Sequence, residues 1–150
     1  MRISMTLNGL TRFFEIEASD YLLDTLRKHD IISVKKGCDT SSCGVCTVLV
    51  NDQPVLSCSF LSIRADGADV KTVEGILEEA EKISARFGEE GADQCGFCNP
   101  GMAIMAYALK KRNPHPTDEE IKHFLLGNLC RCSGYQAQFL AIKQYLEEER

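Results

Sequence analysis

The stretch Gly37-Cys38-Asp39-Thr40-Ser41-Ser42-Cys43-Gly44-Val45-Cys46-Thr47-Val48-Leu49-Val50 decides how this sequence is read. It packs three cysteines into nine residues, spaced C-x4-C-x2-C, and runs straight into a β-branched segment. A fourth cysteine, Cys58, follows after eleven more residues. A loop of small residues can wrap closely round a charged centre and aim several backbone N–H groups inward, and Gly37, Ser41, Ser42 and Gly44 supply such a loop.

On either side of this loop the pattern is that of strands. Val45 to Val50 reads as one strand, Asn51-Asp52-Gln53-Pro54 as the turn, and Val55 to Phe60 as its hairpin partner. Nearer the N-terminus, Ile3, Met5 and Leu7 alternate with polar neighbours. Asn8-Gly9 is a strong two-residue turn, and Phe14 and Ile16 resume the alternation. Leu22, Leu23 and Leu26 fall at helical spacing before His29 and Asp30. Arg64 to Asp69, holding Gly67, reads as a surface loop before a last short strand at Val70 to Val73.

From about Glu74 the period changes from two to 3.6. Ile76, Leu77, Ala80 and Ile83 form one helical face; Met102, Ile104, Met105, Ala108 and Leu109 form another, with Pro100 at or just before its first turn. Thr117 with Glu120 is a capping box ahead of Ile121, Phe124 and Leu125, and Gly127 suits a left-handed helix stop. A last helix spans about Gln136 to Glu148. Strands first and helices after make an α+β chain. A boundary is expected in the charged stretch at residues 74–88, giving units 1–75 and 76–150.

The helical half carries its own four cysteines, Cys95, Cys98, Cys130 and Cys132: C-x2-C, thirty-one residues, then C-x-C. The first quartet has the spacing of plant-type [2Fe–2S] ferredoxins. The second can again give each of two irons two sulfurs, one tight cysteine pair at a helix start and the other in a loop between helices. The first of these lies at a positive helix N-terminus that favours an anionic centre. Three other readings stand beside this one. Structural zinc also takes four thiolates, although C-x4-C-x2-C and C-x-C are awkward for a tetrahedral knuckle. Disulfides need an oxidising compartment. Buried core thiols would not gather into two dense quartets.

Composition sets the outer limits. The chain has 150 residues, 44% hydrophobic and 26% charged, with eight cysteines and a net charge of −5. That excludes a disordered or collagen-like chain and gives no overall attraction to nucleic acid. The opening Met-Arg-Ile-Ser-Met-Thr has no apolar signal core, and the longest apolar stretch, Met102 to Leu109, is far short of a membrane span. A reducing, cytoplasmic setting is therefore expected, with the thiols serving metal or redox chemistry. His29, His115 and His123 are scattered and carry no assignment. Met102 and Met105 read as core, and Glu147-Glu148-Glu149-Arg150 as a frayed helix end. Arg131 either offsets cluster charge or faces solvent. No Ser-His-Asp set, paired carboxylates or phosphate loop stands out.

Four segments carry a resemblance: Gly37-Cys38; Cys43-Gly44-Val45-Cys46-Thr47-Val48; Gln94-Cys95-Gly96-Phe97-Cys98-Asn99-Pro100-Gly101-Met102; and Gly127-Asn128-Leu129-Cys130-Arg131-Cys132-Ser133-Gly134-Tyr135. Together they resemble the small iron–sulfur subunit of the molybdenum hydroxylases, the xanthine dehydrogenase and aldehyde oxidase family. The resemblance implies a β-grasp ferredoxin-like domain followed by an all-α four-helix domain. It places one [2Fe–2S] cluster on Cys38, Cys43, Cys46 and Cys58 and a second on Cys95, Cys98, Cys130 and Cys132.

It also implies a large molybdopterin-binding partner and, in most relatives, an FAD-binding one. Electrons would run from the molybdenum to the helical-domain cluster, then to the ferredoxin-like cluster, then to flavin. Gln94 and Cys132 are the residues that would contact the pterin, and the substrate, a purine or another N-heterocycle, would be handled on the partner. Relatives acting on aldehydes, carbon monoxide or aromatic thioesters are the alternatives within the family; a zinc-stabilised interaction module and a free-standing two-cluster ferredoxin are those outside it. The chain departs from the family at Thr40-Ser41, where Glu-Gly is usual, at Asn99 for Thr or Ser, and at Ser133 for Thr. If residue 41 must adopt positive φ, serine there costs about 1 kcal/mol relative to glycine.

Overall fold

The computed structural model describes residues 1–148. Strand β1 (Arg2–Leu7) and β2 (Leu10–Glu15) form the first hairpin, closed by Asn8 and Gly9 at φ 51° and 83°. Two consecutive positive φ values match the right-handed twist of the flanking strands. Helix α1 (Leu22–Lys28) follows and buries Leu22, Leu23 and Leu26 against Ile3, Met5, Leu7 and Phe14. After the cysteine loop come β3 (Thr47–Val50), β4 (Gln53–Leu56) and β5 (Asp69–Lys71). The sheet order is β2-β1-β5-β3-β4, with β1 and β5 parallel at the centre and the other pairs antiparallel. Short 3₁₀ turns at Ser57–Ser59 and Ser62–Ala65 lie between β4 and β5. This mixed sheet with one crossing helix is the β-grasp ferredoxin-like arrangement.

Among the described residues, four helices make the second half: α2 (Leu77–Glu89), α3 (Asn99–Arg112), α4 (Asp118–Leu125) and α5 (Gln136–Glu147). Gly101, Ala103, Ala106 and Ala108 of α3 are all buried, and their small side chains let neighbouring segments close on it from several sides. Met102 is buried with them, as expected of core. The capping box at Thr117 and Glu120 forms as the sequence predicts, each satisfying the other's backbone N–H.

Several expectations are corrected. The second turn is only Asn51-Asp52, both at positive φ, and Gln53 and Pro54 belong to β4. Pro54 is tolerated because β4 is an edge strand. The partner strand ends at Leu56 rather than Phe60, and the last strand is Asp69–Lys71, with Val73 already in a 3₁₀ turn. The Arg64 to Asp69 stretch holds the end of a 3₁₀ turn and the first residue of β5. Gly127 does not adopt left-handed φ; the residue after α4, Leu126, stays right-handed.

The charged stretch at 74–88 is mostly α2, which buries Ile83 and Phe87. The two halves share packing directly. Val48 and Val50 belong to the sheet core, while Leu49 on the opposite face packs with Ile76, Ile104 and Ala108. All four residues of β3 are therefore buried. Of the terminal acidic run, Glu147 and Glu148 are exposed, Glu148 pairs with Arg86, and residues 149–150 lie outside the described residues. No helix among the described residues is long and apolar enough to cross a membrane.

Candidate metal centres

The first quartet sits in the loop before β3 and on the 3₁₀ turn after β4. Cys43 and Cys46 are buried; Cys38 and Cys58 are half-buried beside a cavity of about 280 Å³ lined also by Tyr21, Asp24, Lys36 and Ser41. The sulfurs fall into two neighbouring pairs, Cys38 with Cys43 and Cys46 with Cys58. Backbone N–H groups of Cys43, Ser42 and Thr40 donate to Cys38 and, with Cys43's thiol, lower its pKa to about 6. Burial pushes Cys46 up to about 11 and raises Cys43. Ser41 adopts φ 53°, so the left-handed strain expected for serine in place of glycine is present. Its hydroxyl lies 3.5 Å from Cys58 Sγ.

The second quartet joins two distant segments. Cys95 and Cys98 precede α3, and Cys130 and Cys132 lie between α4 and α5. The close sulfurs pair across these segments rather than within each one. Cys132 Sγ is 3.5 Å from Cys95 Sγ, and Cys98 neighbours Cys130. Burial pushes Cys98 up to about 12, its proximity to Cys130 adding to this. At Cys130 burial is outweighed by the Ser133 hydroxyl and the N–H groups of Cys132 and Ser133, giving about 7. Cys95 and Cys132 are exposed, as are Gln94, Phe97 and Tyr135 around them. Gln94 donates to the Gly91 carbonyl. Asn99 bridges to Asp93, with its Oδ1 3.7 Å from Cys98 Sγ.

The chemistry of this donor set fits two-iron centres. Each quartet offers two pairs of thiols, the first with amide donors converging on sulfur, which suits two thiolates per iron and a delocalised negative charge. His29 stacks edge-on against Phe14, His115 and His123 are exposed, and Arg131 faces solvent.

The two quartets meet at a junction built from backbone and one buried side-chain amide. The Leu129 N–H donates to the Cys43 carbonyl at 2.8 Å, and buried Asn128 donates to the Gly44 carbonyl at 3.1 Å. A Cβ on Gly44, which has φ 73°, would stand 2.2 Å from the Gly127 carbonyl oxygen, and one on Gly101 would stand 2.9 Å from the Gly44 carbonyl oxygen. Cys43 and Cys98 belong to one apolar cluster, with Cys38 and Cys130 packed against it.

Sequence reading missed Asn128 and Gln138. For Gln138 a signal existed: it occupies position i of the buried stripe Gln138, Ala141, Ile142, Tyr145, where an amide among apolar residues requires a partner.

A β-grasp unit and a four-helix unit, each presenting four thiols in pairs, define an iron–sulfur electron-transfer protein of two [2Fe–2S]-binding domains. Residues 5–71 match the 2Fe-2S iron-sulfur cluster binding domain, and residues 72–143 match the [2Fe-2S] binding domain. The chain is 43% identical over 148 residues to the nicotinate dehydrogenase small FeS subunit of Eubacterium barkeri, covering 97% of this chain and 94% of that one. It is 39% identical over 138 residues to the xanthine dehydrogenase iron-sulfur-binding subunit of Escherichia coli O157:H7, covering 89% and 87%. The quinoline 2-oxidoreductase structure from Pseudomonas putida 86 superposes with a TM-score of 0.90 at 38% identity, covering 98% of this chain and 94% of that chain. The chain belongs to the family of small iron–sulfur subunits of the molybdenum hydroxylases.

Proposed function

We propose that Cys38, Cys43, Cys46 and Cys58 hold one [2Fe–2S] cluster, that Cys95, Cys98, Cys130 and Cys132 hold the other, and that the chain passes single electrons between two partner subunits. When bound, the clusters supply one-electron redox chemistry. The chain's own residues do the rest: thiolates grip iron, backbone N–H groups offset negative charge, and the packed junction excludes water and fixes the separation. One observation carries this reading. The inner cysteines of both quartets, Cys43 and Cys98, share one apolar cluster, while Cys95 and Cys132 reach the surface and Cys38 and Cys58 line an open cavity.

In this reading the exposed face around Cys132 and Gln94 docks a large molybdopterin-binding subunit, those two residues contact the pterin, and the substrate site lies on that partner. An FAD-binding subunit approaches the cavity beside Cys38 and Cys58. An N-heterocyclic substrate is supported by relatives named for nicotinate, xanthine and quinoline. The division into units 1–75 and 76–150 is supported by α2 starting at Leu77. Eight free thiols suit a reducing cytoplasm.

Metal analysis with absorption and electron paramagnetic resonance tests the assignment. About four irons and four labile sulfides per chain are expected, with two distinguishable signals on reduction. Cys130→Ser removes one signal and leaves the other. Two colourless zincs, or both signals surviving Cys130→Ser, would overturn it.

A further inference from the structure

Gln138 lies in the first turn of α5 with 1% of its surface exposed. A buried primary amide must place both a carbonyl and N–H donors. Its Nε2 is 3.2 Å from Cys130 Sγ, and its Oε1 accepts from the Ser133 hydroxyl. Ser133 Oγ in turn accepts the Tyr135 N–H at 3.2 Å and lies 3.5 Å from Cys130 Sγ. The Cys130 N–H donates to the Tyr135 hydroxyl at 3.1 Å, closing the loop on itself.

The chemistry fixes which way the amide points. Turned over, it would set a carbonyl oxygen against a thiolate sulfur, two acceptors face to face; as it stands, N–H meets sulfur. Ser133 has one proton to give. Cys130 Sγ and Gln138 Oε1 are both within its reach; in the orientation that gives the proton to Gln138 Oε1, it polarises the amide and strengthens the N–H donor on the far side, as chains of hydrogen bonds do. The first quartet's side-chain neighbours are of another kind, the hydroxyls of Ser41 at Cys58 and of Ser57 at Cys46.

We propose that Gln138 is a positioning residue that sets the reduction potential of the helical-domain centre, its buried amide donating to Cys130 Sγ under polarisation by Ser133. This rests on Cys130 being an iron ligand. An added electron places more negative charge on the sulfurs, and an N–H aimed at one of them stabilises that state more than the oxidised one, which raises the potential. The amide keeps its proton in both states; one electron is gained or lost and no bond is made or broken.

The test is a redox titration of the iron-loaded full chain, followed by electron paramagnetic resonance, with the ferredoxin-like centre as internal reference. Gln138→Met keeps the length of the side chain and removes the donor. It is expected to make the helical-domain centre about tenfold harder to reduce, about 59 mV for a one-electron couple, without moving the other centre. Ser133→Ala should move the same centre in the same direction by less, and combining the two should add little to Gln138→Met alone. An unchanged or raised midpoint in Gln138→Met overturns the proposal.

Should that variant fail to retain its centre, wild-type protein labelled with ¹⁵N at glutamine side-chain nitrogens gives the answer by pulsed resonance. A ¹⁵N coupling on the reduced helical-domain signal is expected, and its absence overturns the proposal equally. Failure of the ligand assignment is recognised separately, since Cys130→Ser would then leave both signals intact.

Discussion

The two quartets solve one coordination problem by opposite routes. The first is nearly contiguous: three cysteines sit in a single loop, and the fourth arrives on the adjoining hairpin. The second is assembled, its close sulfur pairs joining segments on opposite sides of α3 and α4. A local loop can aim many of its own N–H groups at sulfur, as Thr40, Ser42 and Cys43 do at Cys38. An assembled site depends on packing and recruits side chains, as Gln138 and Ser133 show at Cys130. The first centre is therefore expected to tolerate damage to the helices, while the second is expected to fail with them.

The sharpest way to break this contrast is Gly44→Ala. The new Cβ would meet the Gly127 carbonyl oxygen at 2.2 Å, on a residue already at φ 73°, so the loops of both quartets must separate. A loss of about 3 kcal/mol or more is expected, with iron content falling at both centres, measured by denaturant unfolding and metal analysis. Next in size is acid. Glu79 accepts from Tyr145 and Lys110 and pairs with Lys82, joining α2, α3 and α5. Burial works against its charge, but these partners win and lower its pKa from 4.5 to about 2. A depressed carboxylate gives its full stability above the ordinary value and loses it as pH falls toward the folded value. The helical half should thus lose about 2 kcal/mol between roughly pH 4.5 and 2, and Glu79→Gln should flatten that slope in pH-dependent unfolding.

Smaller effects separate the two halves. Thr117→Ala removes the capping box of α4 at a cost of about 1 kcal/mol, and hydrogen exchange should show the loss confined to the helical half. Ser41→Gly relieves the left-handed strain in the first loop and is expected to stabilise it by about 1 kcal/mol. It also withdraws the hydroxyl near Cys58, so a midpoint change restricted to the ferredoxin-like centre should accompany it.

Much of this was legible before any coordinates. The Asn8-Gly9 turn, α1 and the Thr117 capping box are set by neighbours in sequence, and all three form as read. The errors fall where distant chain decides. Pro54 reads as a turn residue, yet an edge position lets it pair with Leu49. Gly127 reads as a left-handed helix stop, yet it does not adopt left-handed φ and its carbonyl oxygen lies against Gly44.

The sequence alone determined the order of strands and helices, the two sets of four thiols and the family they mark, because periodicity and motif spacing are properties of neighbouring residues. The tertiary structure alone decided which thiol lies beside which, that β3 is buried on both faces, and that Gln138 answers to Cys130. Those outcomes depend on contacts between residues far apart in the chain, whose geometry is set only when both halves close on one another.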